Sequence, residues 1–148
     1  MDEIRPWLFI GKYRDTLDTY NLEARSIKAM LQLAERVEQE GIVSLYLPVE
    51  DLAPIRIEHI QKGVEFIKEH YGKHHRILIT CGAGINRSTA FCMIALKEIE
   101  GLGLMDAYKE IKQCHPDAFP HEPVWASLCN YYGENIQYLD VIRLNTYK

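Results

Sequence analysis

Two apolar runs joined by one short loop constrain this chain more than any other feature. Arg76-Ile77-Leu78-Ile79-Thr80 is a compact strand of the buried type, and Ala90-Phe91-Cys92-Met93-Ile94-Ala95-Leu96 is apolar around most of a helical circumference. A helix apolar on all sides is a buried helix. A strand apolar on both faces is covered on both, as in parallel sheets. Only Cys81 to Thr89 separates the two, so a central strand passes directly into a buried helix.

The flanking patterns extend this unit. Pro6-Trp7-Leu8-Phe9-Ile10 before Gly11 predicts a short strand, and Leu17, Tyr20 and Ala24 share one face of a short helix. Ile27, Ala29, Leu31 and Leu33 alternate, which predicts a half-buried strand. Gly41 opens a further strand over Ile42 to Val49, with Pro48 marking its end as an edge or exit. Pro54 suits a first helical turn, and Ile57, Ile60, Val64, Ile67 and Tyr71 then follow helical spacing up to Gly72. After the buried helix, Leu104, Ala107, Tyr108 and Ile111 predict another, stopped by Pro116. A last helix carries Val124, Trp125, Leu128, Tyr132, Ile136 and Leu139, and the tail from Asp140 carries no clear signal. Strands alternating with helices, then helices alone, predict an α/β domain. The expected architecture is a central, mostly parallel sheet of four or five strands with helices on both faces, in one domain over residues 1–148.

Charge and cysteine content limit the function classes. Seventeen basic against 21 acidic side chains give a net charge of −4, unlike a strongly basic nucleic-acid or membrane-surface protein. The longest nearly apolar stretch, Gly41 to Val49, is far shorter than the ~20 residues that span a bilayer. Cys81, Cys92, Cys114 and Cys129 include no Cys-x-x-Cys pair, and no secretory segment precedes them. Free thiols in a reducing cytoplasm are expected.

The chemistry lies in Cys81-Gly82-Ala83-Gly84-Ile85-Asn86-Arg87-Ser88. A tight loop entering a helix aims backbone N–H groups inward and adds the positive end of the helix dipole, which makes an anion cradle. Gly82 and Gly84 permit backbone conformations that a Cβ penalises. Arg87 brings a planar fork matched to two phosphate oxygens. The same positive surroundings favour Cys81 as a thiolate. The segment lacks the Gly-Lys-Ser/Thr of nucleotide-binding loops and the third Gly of dinucleotide-binding ones. Ester cleavage also needs a proton for the leaving oxygen. Asp51, at the end of the strand from Ile42, is a candidate. Its neighbour Glu50 is the rival, and a helix N-cap is the alternative use of Asp51.

Cys-x-x-Gly-x-x-Arg-Ser resembles the signature of cysteine-dependent protein phosphatases, specifically the small dual-specificity phosphatases. Ile4 through Gly11 is similar to that family's opening strand, and Pro116 through Leu128 to its Pro-rich loop and last helix. The resemblance implies that Cys81 is the nucleophile and that Arg87 with the amides of Gly82, Ala83, Gly84, Ile85 and Asn86 holds phosphate. It also implies that Asp51 is general acid and base, and that Ser88 assists departure of the sulfur. Phosphotyrosine, and phosphoserine or phosphothreonine, on proteins are the implied substrates, with small phosphate monoesters. Phosphate, sulfate and vanadate are the implied inhibitory oxyanions, and neither cofactor nor metal is expected. A monomer without nucleic-acid or membrane partners is expected.

Two positions depart from the family pattern. Thr80 stands where the family has a loop-ordering His, which implies reduced activity. Asn86 stands where dual-specificity members carry Ser, as it does in RNA 5′-triphosphatases of the superfamily. That activity, or a catalytically weak phosphate-binding module, is the alternative. His70, His74 and His75 are expected on an exposed loop rather than around a metal, Cys92 in the core, and Cys114 and Cys129 as thiols unrelated to Cys81.

Overall fold

A computed structural model describes residues 1–146. Five strands form one sheet in the order β1-β2-β5-β3-β4. They are β1 (Asp2–Arg5), β2 (Leu8–Lys12), β3 (Ile27–Gln32), β4 (Val43–Tyr46) and β5 (Arg76–Cys81). All neighbours pair in parallel except β1 and β2, which form an antiparallel hairpin. The helices are α1 (Thr19–Ala24), α2 (Ile57–Gly72), α3 (Arg87–Glu100), α4 (Leu104–Cys114), α5 (Glu122–Tyr132) and α6 (Tyr138–Thr146). The expected α/β architecture is present. No helix among the described residues is long and apolar enough to cross a membrane.

The sheet buries both faces. Phe9, Leu22, Ile27, Met30 and Leu78 form a small cluster under α1. Leu8, Ile10, Ala29, Leu31, Ile77 and Ile79 face the larger core with α2 to α6. Residues Ser88 to Leu96 of α3 are all buried, as the apolar run predicts. Trp125 and Tyr108 are the largest buried side chains, and they meet edge to face at 6.5 Å between centroids.

Several elements differ from the sequence-based expectation, each for a local reason. The opening strand begins at Leu8, and β1 before it went unforeseen because Ile4 is its one buried residue. β3 is buried on both faces rather than half-buried, and a bulge between Ile27 and Ala29 sends Ile27 to the α1 side. β4 ends at Tyr46, short of Val49. Pro48 has no N–H to donate, and the Val49 N–H turns back to the Leu47 carbonyl at 2.7 Å. Leu17 and Tyr20 are exposed; Leu22 instead anchors α1. The helix expected from Val124 to Leu139 is two helices. Gly133 takes a left-handed conformation at φ +67° and caps α5, and α6 then covers residues expected as an uninformative tail. The last two residues of that tail lie outside the described ones.

α2 begins at Ile57, with Arg56 as N-cap; it buries the expected Ile60 and Ile67 together with Gly63, Phe66 and His70, while Val64 is half-buried and Ile57 and Tyr71 are exposed. The helix is rotated because Gly63 lets it approach α3. A Cβ built on Gly63 stands 2.6 Å from the Phe91 ring. Gly63→Ala gains ~1 kcal/mol of helix propensity but forces a rigid buried ring to move, at ~1–3 kcal/mol. A net loss of up to about 2 kcal/mol is expected, measured as a lower urea midpoint at unchanged slope.

The three histidines do not share an exposed loop as expected, since His70 lies in the last turn of α2. His70 is buried, and its Nδ1 lies 2.9 Å from Nδ1 of His75, so one ring donates and the other accepts. Burial disfavours the His70 imidazolium and pushes its pKa down. His74 alone is exposed, at φ +59°.

Candidate active site

The buried strand β5 ends at Cys81, between β2 and β3. Ligands in open α/β sheets bind outside the carboxyl ends of such strands. The chain turns through Gly82 to Asn86 and enters α3 at Arg87. Gly84 sits at φ +72°, and a Cβ there would stand 3.0 Å from the Gly11 carbonyl oxygen. Only glycine fits both the conformation and the gap.

The loop turns three carbonyls outward to donors, those of Gly82, Gly84 and Ile85. The Tyr13 N–H reaches the Gly82 carbonyl at 3.3 Å, and the Phe119 N–H reaches that of Ile85 at 2.9 Å. His115 Nε2 lies 2.7 Å from the Gly84 carbonyl. Among the described residues, no protein acceptor takes the N–H groups of Gly82 to Arg87. Outward carbonyls and unpaired amides are the geometry of an anion cradle.

Cys81 is buried at the strand end, and its Sγ lies 3.2 Å from Ser88 Oγ. Against a thiolate, that hydroxyl donates. Arg87 donates through Nη1 to the carbonyls of Leu33 at 3.2 Å and Val49 at 2.9 Å. These bonds tie the guanidinium to the ends of β3 and of the segment after β4. Nε is buried without a hydrogen-bond acceptor, 3.6 Å from Asp51 Oδ1.

Asp51 is on the loop expected from the sequence, not at a helix cap, since Arg56 caps α2. The loop is pinned on both sides of it. Val49 is buried and holds Arg87, and the Ile55 N–H donates to Ser127 Oγ at 2.9 Å. Asn86 sets the carboxylate itself: its Nδ2 donates to Asp51 Oδ1 at 2.7 Å. Asn86 Oδ1 accepts from the His121 N–H, also at 2.7 Å. One buried amide thus joins the anion loop, the Asp51 loop and the Pro-rich loop before α5. The rival Glu50 is exposed, beside a separate cavity of about 400 Å³ with Pro54, Arg56 and His59.

Cys81, Arg87, Ser88, Asn86 and Asp51 are therefore brought together. Cys92 lies deep in α3, where burial first, and Cys81 second, push its thiol pKa well up. Cys114 is exposed and Cys129 half-buried, and all four cysteines are free. A cavity of about 590 Å³ lies away from this site, beside α1, lined by Leu22, Glu23, Lys28 and Glu40 among others. His115 and His121 were missed from sequence. Their partners lie far along the chain, and no local pattern marks either one.

An α/β sheet with a thiol and a guanidinium on one strand-to-helix loop is the architecture of cysteine-dependent phosphatases. The family model "Dual specificity phosphatase, catalytic domain" matches residues 8–134, and the chain belongs to that family. Human dual specificity protein phosphatase 5 is 29% identical over 136 residues, covering 89% of this chain and 35% of that protein. Dual specificity protein phosphatase 22 of Xenopus tropicalis is 29% identical over 125 residues, covering 82% and 59%. The chain thus spans only part of these relatives. The crystal structure of human DUSP28 superposes with a TM-score of 0.84 at 22% identity, covering 90% of this chain and 96% of that one. A mouse putative dual specificity phosphatase, complexed with zinc tungstate, gives 0.83 at 23% identity, covering 99% and 92%.

Proposed function

We propose that the chain is a metal-independent phosphatase that hydrolyses phosphate monoesters through a phosphocysteine on Cys81. The observation that carries this reading is the grouping of Cys81 Sγ, Ser88 Oγ, the Arg87 guanidinium and the Asp51 carboxyl around one amide-lined loop. Cys81 sulfur attacks phosphorus while the phosphorus–oxygen bond to the leaving group breaks, and the Asp51 carboxyl protonates the departing oxygen. Arg87 and the amides of residues 82–87 hold the equatorial oxygens as charge spreads over them. Water then attacks phosphorus, Asp51 carboxylate takes its proton, and the sulfur–phosphorus bond breaks. The Ser88 hydroxyl donates to the thiolate as it leaves, and inorganic phosphate is released.

Phosphotyrosine and phosphoserine or phosphothreonine on proteins are the proposed substrates, with exposed Gly82 and Ala83 forming a low rim beside Cys81. Sulfate, phosphate and vanadate are proposed inhibitors; a tungstate complex of a structural relative supports oxyanion binding. The proposal places one catalytic domain over residues 1–148, acting as a monomer. Four free thiols fit a reducing cytoplasm. The side chain of Asn86 is engaged by Asp51 and His121, which accounts for Asn at that position without an RNA substrate. Wild type is expected to hydrolyse an aryl phosphate in EDTA, and Cys81→Ser to lose that turnover. Equal turnover by both proteins would refute the reading.

A further inference from the structure

The three outward carbonyls of the anion loop are not held alike. Those of Gly82 and Ile85 accept from backbone N–H groups, which do not titrate. That of Gly84 accepts from a side chain, Nε2 of His115, at 2.7 Å. The other ring nitrogen, Nδ1, lies 2.6 Å from Asp2 Oδ2. A carbonyl can only accept, and so can an ionised carboxylate. Both nitrogens of His115 therefore face acceptors, and the ring satisfies both only as an imidazolium. A neutral ring has one N–H and must give up one of the two bonds.

The supports on either side are firm. His115 caps the C-terminal end of α4, where a cation is favoured by the helix dipole. The strand carrying Asp2 is clamped at its other end, where Arg5 donates to Glu100 at 2.8 Å and Glu110 at 2.9 Å. The charged groups around the ring come from every neighbouring element. Asp2 belongs to β1, and Asp117 follows α4. Lys12 ends β2 and Asp15 lies in the turn after it, with the Met1 amino group 3.3 Å from Asp15. Lys112, one turn back on α4, donates to the carbonyls of Pro116 and Ala118. Opposite the ring, Gly84 packs on Gly11, so the loop cannot retreat toward β2.

We propose that His115, braced by Asp2, is a positioning residue that fixes the Gly84 peptide of the anion loop and so sets the loop's oxyanion affinity. The proposal rests on the reading that this loop holds phosphate. It places no role in the chemical step on His115; the ring acts through the Gly84 peptide.

Sulfate binding, measured by calorimetry on Cys81→Ser protein, tests it. Adding His115→Phe is expected to weaken sulfate binding roughly tenfold, the size of one hydrogen bond to the loop, and adding His115→Arg, with several donors, to restore it. Adding Asp2→Asn, on a half-exposed carboxylate, is expected to weaken binding by less than His115→Phe does. Unchanged affinity in His115→Phe, or no rescue in His115→Arg, overturns the proposal. Absence of sulfate binding in the parent would instead refute the phosphate-loop reading on which it stands.

Discussion

Arg87→Lys is expected to lower kcat/KM by about 10³-fold while the protein stays folded, the scale of losing a preorganised oxyanion donor. The guanidinium has a double task. Nη1 is committed to the carbonyls of Leu33 and Val49, which leaves the rest of the fork, with its unpaired Nε, facing the loop. A lysine ammonium can reach one of those carbonyls or an oxyanion, not both, and lacks the planar spacing that matches two phosphate oxygens. The loss should fall on kcat as well as on KM, because charge on the equatorial oxygens is highest as the phosphoryl group transfers. Unfolding in urea should show a cost of only about 1–2 kcal/mol from the weakened carbonyl bonds. A variant with near-normal kcat/KM would place phosphate elsewhere.

Asp51→Ala is expected to lower kcat by about 10²–10⁴-fold for an alkyl phosphate, whose leaving oxygen needs a proton. For an aryl phosphate with a strongly acidic phenol the loss should shrink, since that oxygen departs unprotonated. The position supports this division. The Asp51 carboxyl is half-exposed at the tip of a pinned loop, held by Asn86 at 2.7 Å and 3.6 Å from Arg87. Equal losses for both leaving groups would move the acid role to another residue, with Glu50 the nearest along the chain.

The parts of the fold legible in the sequence are those whose signal is local. β5, the loop and α3 are contiguous, and their burial follows from composition alone, so Cys81, Arg87 and Ser88 could be read as a unit. Asp51 was harder, because nothing local separates it from Glu50; its contact with Asn86 spans 35 positions. β1 was invisible because a hairpin strand paired on one side needs few apolar residues. The break between α5 and α6 was hidden because Tyr132 and Ile136 keep helical spacing across Gly133, whose positive φ is a structural fact. The face of α2 was legible at Ile60 and Ile67 but not at its Gly63 edge, because Gly63 reads as a weak helix former, while in three dimensions it is the contact point with Phe91. His115 is the furthest from legibility, since its two partners lie 31 and 113 positions away.

The central claim is that phosphate passes through Cys81 as a covalent intermediate. Its most direct test is to acid-quench the enzyme during turnover of an aryl phosphate, digest it and locate phosphoryl groups by mass spectrometry. The account predicts one phosphoryl group on the peptide bearing Cys81, lost on chase with unlabelled buffer and absent in Cys81→Ser. Turnover at full rate with no phosphoryl group on Cys81 at any quench time, and with Cys81→Ser still active, would contradict it.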